Sequence, residues 1–166
     1  MCFVKQPDKW RQFTPTAEYL LVVKDLTSIV KLWVYTKDKY DYISDGVDYW
    51  KTPVEFMSDE GGRDCEDWSR WYADILVRIQ KLEGARWVLF SGYNKARWGK
   101  ELNHHAMCVF PYRGKFAVLD VEQFQDGYAD YIEAGHRTFP DGLTRTEERD
   151  YMGKILSKKR KWMGTY

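Results

Sequence analysis

Cys65 lies in the run Gly61-Gly62-Arg63-Asp64-Cys65-Glu66-Asp67-Trp68, directly ahead of the strongest helical pattern in the chain. Forty residues later comes Asn103-His104-His105-Ala106, opening a strand-like stretch, and fifteen residues after His105 a second such stretch ends at Asp120. A thiol at a helix start, followed by an imidazole and a carboxylate on neighbouring strands, supplies a nucleophile, a base and a group that orients the base. The helix N-terminus offers partial positive charge and free N–H groups, which lower a thiol pKa and can bind an oxyanion.

The acids around Cys65 carry two meanings. As helix chemistry, Asp64 is an N-cap and Asp67, three residues on, the matching acid of a capping box, with both complementing the helix dipole. As site chemistry, three carboxylates beside a thiolate repel it, and a catalytic cysteine there needs an imidazolium, the dipole or a bound cation in compensation.

His105, Met107 and Val109 alternate onto one face of their strand, and Phe116, Val118 and Asp120 onto one face of the next. A short turn at Tyr112-Arg113-Gly114-Lys115 brings His105 and Asp120 to the same face, about one diagonal step apart and within roughly 8 Å at Cβ. His104 points the other way in this register, though one β-bulge would reverse the choice. His136, in Gly135-His136-Arg137, reads as a surface loop residue. Zinc is the rival use of Cys65, His104 or His105, and Cys108, but no Cys-x-x-Cys or His-x-x-x-His pair is present.

These parts need a scaffold. With 166 residues and 44% hydrophobic content, one globular domain spanning 1–166 is expected. Pro15 after Thr14 starts a helix, and Leu20, Val23, Leu26, Val30 and Trp33 extend it from about 15 to about 40 at three- and four-residue steps. Ser44-Asp45-Gly46 punctuates it. A short helix follows Thr52-Pro53 over 53–57, a Gly-containing loop covers 58–63, and the second long helix runs from Cys65 to Leu82 with Gly84 as a left-handed cap. Strands follow over 85–91, 105–111 and 115–120, and Thr144 to Lys161 reads as helix. The sum is α+β, with N-terminal helices packed on an antiparallel sheet.

Net charge is +1 from 26 basic and 25 acidic residues, so nothing global points to nucleic acid or an anionic membrane. The local run Lys158-Lys159-Arg160-Lys161 reads as a solvated helix end. Three cysteines without paired spacing do not make a disulfide framework. No secretory leader or membrane span is evident, so a reducing, cytoplasmic setting is expected.

Tyr49-Trp50-Lys51-Thr52-Pro53-Val54-Glu55-Phe56, Gly62-Arg63-Asp64-Cys65-Glu66-Asp67, His105-Ala106 and Val118-Leu119-Asp120 together resemble the bacterial transglutaminase-like cysteine proteinases. The resemblance spans roughly residues 15–125. Arg63 stands where that family tends to have glycine, and 126–166 is an unmatched extension. The resemblance implies a papain-like fold and a triad of Cys65 as nucleophile, His105 as general base and acid, and Asp120 as orienter. It also implies a protein or peptide substrate and no required cofactor. Asp64 and Glu66 map to acids that hold calcium in some members. Acyl transfer to an amine, and a binding or structural module that keeps the fold, are the alternatives; oligomeric state is open.

Overall fold

The order of elements follows from where hydroxyls and prolines start helices and where apolar alternation takes over. The computed structural model describes residues 13–43, 50–58 and 61–160. Ala17–Val23 forms α1, capped by Thr16, whose hydroxyl accepts the Tyr19 N–H at 3.1 Å. The cap is therefore one residue beyond Pro15, which stays outside the helix.

The single long helix expected over 15–40 is instead two. Ser28 accepts the Lys31 N–H and starts a new helix, α2, Ile29–Lys39. The break lets Tyr19, Val23, Leu26, Leu32 and Thr36 be buried, while Leu20 and Val30 of the expected stripe are 42% and 68% exposed. Ser44-Asp45-Gly46 lies outside the described residues.

Pro53–Ser58 forms α3, and here a reciprocal capping box is present. Thr52 Oγ1 accepts the Glu55 N–H while Glu55 Oε2 accepts the Thr52 N–H. Cys65–Arg78 forms α4. It stops before Leu82: Lys81 takes a left-handed conformation, and Gly84, also left-handed, serves the turn into the first strand.

Arg86–Tyr93 forms β1, Lys95–Trp98 the short α5, Asn103–Tyr112 β2, Lys115–Leu119 β3 and Phe124–Tyr128 β4. Tyr131–Thr138 forms α6, Gly142–Arg149 β5 and Ile155–Arg160 β6. The helix expected over 144–161 is thus a pair of strands, and His136 sits on α6 rather than in a loop. Glu, Arg and Lys favour helices intrinsically, but here they alternate across the sheet. Glu147 is buried and gathers Arg145, Arg149 and Lys158, while Glu148 on the opposite face pairs with Arg86. Lys158, Lys159 and Arg160 of the basic run therefore lie on a strand at the edge of the described sheet, not at a helix end.

Among the described residues the strands form one antiparallel sheet in the order β4-β3-β2-β1-β5-β6. The β2–β3 turn is two residues, Arg113 and Gly114, both at positive φ, as a type I′ hairpin requires. One face carries Trp87, Leu89, Ala106, Cys108 and Leu119 against Trp68, Tyr72 and Ile75 of α4. The other carries Val88, Phe90, Met107, Val109 and Val118 against Tyr131 and Ala134 of α6. The architecture is α+β, with α4 and α6 on opposite faces.

Gly135 is where α6 meets the sheet most closely. A Cβ there would fall 2.5 Å from Phe90 Cδ1 in the core. Gly135→Ala, ordinarily helpful in a helix, is expected to destabilise the protein by about 1–3 kcal/mol through overpacking, read as a lowered midpoint in urea.

Candidate active site

Cys65 is the first residue of α4 and is 7% exposed. β3 pairs with β2 only as far as Cys108, so the N-terminal part of β2 is left open on that side. The start of α4 meets this opening, where the Ala106 N–H donates to Cys65 Sγ. The thiol thus sits against the backbone of the residue that follows His105.

His105 and Asp120 lie on the α6 face of the sheet. In register, Met107 stands opposite Asp120, so His105 and Asp120 are one diagonal step apart, as the alternation predicts. His105 Nε2 donates to Asp120 Oδ2 at 2.9 Å, and Asp120 Oδ1 accepts the Val121 N–H at 2.7 Å. Both carboxylate oxygens are therefore engaged, and the two side chains are 9% and 7% exposed as residues. With Nε2 held by a carboxylate, Nδ1 is the nitrogen left to act as a base. His104 faces the other side, its Nδ1 2.7 Å from Ser91 Oγ.

Asp64 occupies the N-cap position, but its side chain makes no cap hydrogen bond. The capping box expected between Asp64 and Asp67 is absent. Asp67 instead accepts the Lys51 N–H at 2.6 Å and lies 3.6 Å from Lys51 Nζ, which in turn donates to the Gly62 carbonyl. Arg70, one turn on, donates to the Lys51 carbonyl. The acid three residues after the cap is thus a tertiary clamp on the 50–53 segment. Trp50 of that segment packs edge-on against Trp87 and under the Arg149 guanidinium. Tyr49 lies outside the described residues.

The electrostatics at the helix start run opposite to the expectation of a lowered thiol pKa. Burial, then the carboxyls of Glu66 and Asp64, pushes the Cys65 thiol well above its ordinary value, while the Ala106 N–H acts the other way. Cys65 rests as a thiol, with Sγ 3.0 Å from Glu66 Oε2. Glu66 is itself pushed up to about 8, by burial first and by Asp64 second, and its side chain is within hydrogen-bonding reach of Asp64. Tyr42, which the sequence did not single out, belongs to this neighbourhood. Partial burial of this 47% exposed residue, then the neighbouring acidic groups of Cys65, Asp64, Glu66 and Asp120, raises its phenol above the usual range. No spacing or pattern signal marks it.

Asp64 and Glu66 have the oxygen chemistry of calcium ligands, but a pair of carboxyls falls short of the six or more oxygens that ion takes. Among the described residues no group of three or more His, Cys, Asp or Glu is placed to hold a metal ion. This donor set does not by itself make a calcium site.

No known protein-family model matches the sequence, and no curated protein matches it either. Among solved structures, calcium-bound LapG of Legionella pneumophila is similar to this chain at a TM-score of 0.46 and 21% identity. The alignment covers 70% of this chain and 61% of that one. The description of the site therefore stands on its own geometry.

The raised Glu66 carboxyl has a measurable consequence. The folded protein keeps a proton that the unfolded chain releases between about 4.5 and about 8, so this group makes stability fall as pH rises through that window. Glu66→Gln is expected to melt higher than wild type at pH 8 and alike at pH 4. Equal melting temperatures at pH 8 would show that Glu66 ionises normally in the folded state.

Proposed function

We propose that this protein is a cysteine peptidase or related amide hydrolase of the transglutaminase-like kind, working through a thioester acyl-enzyme. The observation that carries this reading is the convergence at the open end of β2. Cys65 Sγ accepts the Ala106 N–H, and the adjacent His105 is bonded through Nε2 to Asp120.

In this mechanism Cys65 Sγ attacks a substrate carbonyl while His105 Nδ1 takes the thiol proton. The negative charge that forms on the carbonyl oxygen is held by first-turn amides of α4, which no Asp64 side chain caps. His105 then returns the proton to the leaving amine, leaving the acyl group on Sγ as a thioester. Water, deprotonated by His105, releases the acid and regenerates the thiol. Asp120 keeps the imidazole in the Nε2–H tautomer and stabilises the imidazolium. Because the resting cysteine is a thiol, proton transfer accompanies attack rather than preceding it.

Native protein treated with iodoacetamide, followed by peptide mapping, tests the assignment. Cys65 is expected to react ahead of Cys108, which is fully buried. Its rate should climb with pH above neutrality, because the thiol is raised. Preferential labelling of Cys2 or Cys108 with Cys65 inert would overturn the nucleophile.

Turnover on peptide substrates with and without an amine acceptor separates hydrolysis from transfer. Cys65→Ala and His105→Ala are expected to abolish it and His104→Ala to spare it. Asp120→Asn should keep binding while lowering the chemical rate by about 10⁴-fold. Wild-type turnover in Asp120→Asn would remove that residue from the mechanism. The same assay with calcium and with chelator decides whether an ion completes the Asp64–Glu66 pair: unchanged rates and melting curves exclude it.

A further inference from the structure

The connection between β1 and β2 places Trp98 beside His105, and it is fastened at several points. Asn94 caps α5 by accepting the Arg97 N–H, and its amide donates to the Thr138 carbonyl at 2.9 Å. The Lys95 N–H donates to Asp141 Oδ2 at 2.6 Å, and the Asp141 N–H donates to the Tyr93 carbonyl. The last residue of α5 is Trp98. Its ring lies 5.4 Å from that of Phe139 and 6.5 Å from the His105 imidazole, tilted to both. The Arg97 guanidinium sits 4.9 Å over the same indole and pairs with Glu122, two residues beyond Asp120, at 3.2 Å.

A chain of contacts therefore runs from the Glu122 loop through Arg97 and Trp98 to His105. The indole is slightly too far from the imidazole for a full cation–π contact, which needs about 6 Å. What a large apolar ring in that place does is exclude water. A hydrogen bond shielded from solvent holds one imidazole tautomer far more firmly than an exposed one.

We propose that Trp98 is a positioning residue: its indole shields the His105–Asp120 hydrogen bond and so keeps Nδ1 unprotonated and ready to take the proton of Cys65. This rests on the reading of Cys65, His105 and Asp120 as the reacting set. Trp98 touches neither nucleophile nor substrate in this scheme and acts only through His105.

The test uses protein labelled with ¹⁵N-histidine, in which His105 is one of three histidines and is assigned with His105→Gln. In wild type, His105 should show one tautomer and an Nε2 proton protected from exchange. Trp98→Phe should retain both. Trp98→Ala should mix the tautomers and lose the protected proton. Should Trp98→Ala fail to fold, Trp98→Gln against Trp98→Phe makes the same comparison. A protected single tautomer in Trp98→Ala or Trp98→Gln overturns the proposal. So does an Nε2 proton that exchanges freely in intact wild type.

A kinetic measurement accompanies the spectrum. Iodoacetamide alkylation of Cys65 at neutral pH should slow about tenfold in Trp98→Ala and remain near wild type in Trp98→Phe, a part of the roughly 10²–10⁴-fold that general-base catalysis supplies. The two readings fail separately. A Cys65 inert in wild type, with the His105 tautomer still dependent on Trp98, sinks the peptidase and leaves the shield. A reactive Cys65 with a tautomer indifferent to Trp98 does the reverse.

Discussion

Asp67 holds the arrangement together. Its carboxylate is buried on α4 and accepts the backbone N–H of Lys51, while Arg70 one turn later donates to the Lys51 carbonyl. An extended segment outside the sheet has backbone groups of Lys51 satisfied by side chains of the helix that begins at Cys65. Lys51 closes the set by pairing with Asp67 and donating to the Gly62 carbonyl in the loop before Cys65. Removing one member would strand the others in the interior, which typically costs about 3–5 kcal/mol. The position of Cys65 depends on this clamp, because α4 begins two residues before Asp67.

From that fixed start the site is assembled by the sheet. β3 ends early enough to leave β2 open beside Cys65, yet late enough to carry Asp120 to the face of His105. Cys65 approaches from the α4 side, against the Ala106 N–H, and His105 lies on the α6 side. The acids around Cys65 then oppose ionisation of the thiol, and Glu66 takes up a proton near neutrality instead. A thiol kept neutral until a base removes its proton is consistent with attack and proton transfer in one step.

Local chemistry was legible where it was decided within a few residues. A hairpin turn of two or four residues around Arg113-Gly114 puts His105 and Asp120 on the same face, so their proximity followed from alternation; that the turn is two residues, both at positive φ, is set in the structure. The helix start at Cys65 followed from the apolar period after it. Thr52-Pro53 marked a helix start, which Thr52 and Glu55 close with a capping box; Asp64 and Asp67 carried a capping signature and form none, because Lys51 offers Asp67 a stronger buried partner than the local amides. The break at Ser28 was missed because the apolar steps through Leu20, Leu26 and Val30 continue across it without regard to which side is buried.

What the sequence determined by itself is the helix that begins at Cys65 and the hairpin that brings His105 and Asp120 to one face. Tertiary structure alone decided the rest. Residues 144–160 became strands although their composition favours helix, because Glu147 is buried on one face of the sheet, where it meets Arg145 two residues along its own strand and Lys158 on the neighbouring one. Trp98 came beside His105 through the fold of the β1–β2 connection, and Tyr42 came within electrostatic reach of Cys65 and Asp120 from the segment after α2. Spacing reports what a residue can reach along one helix or one hairpin. Burial, shielding and the sign of a pKa shift depend on what the remainder of the chain brings alongside.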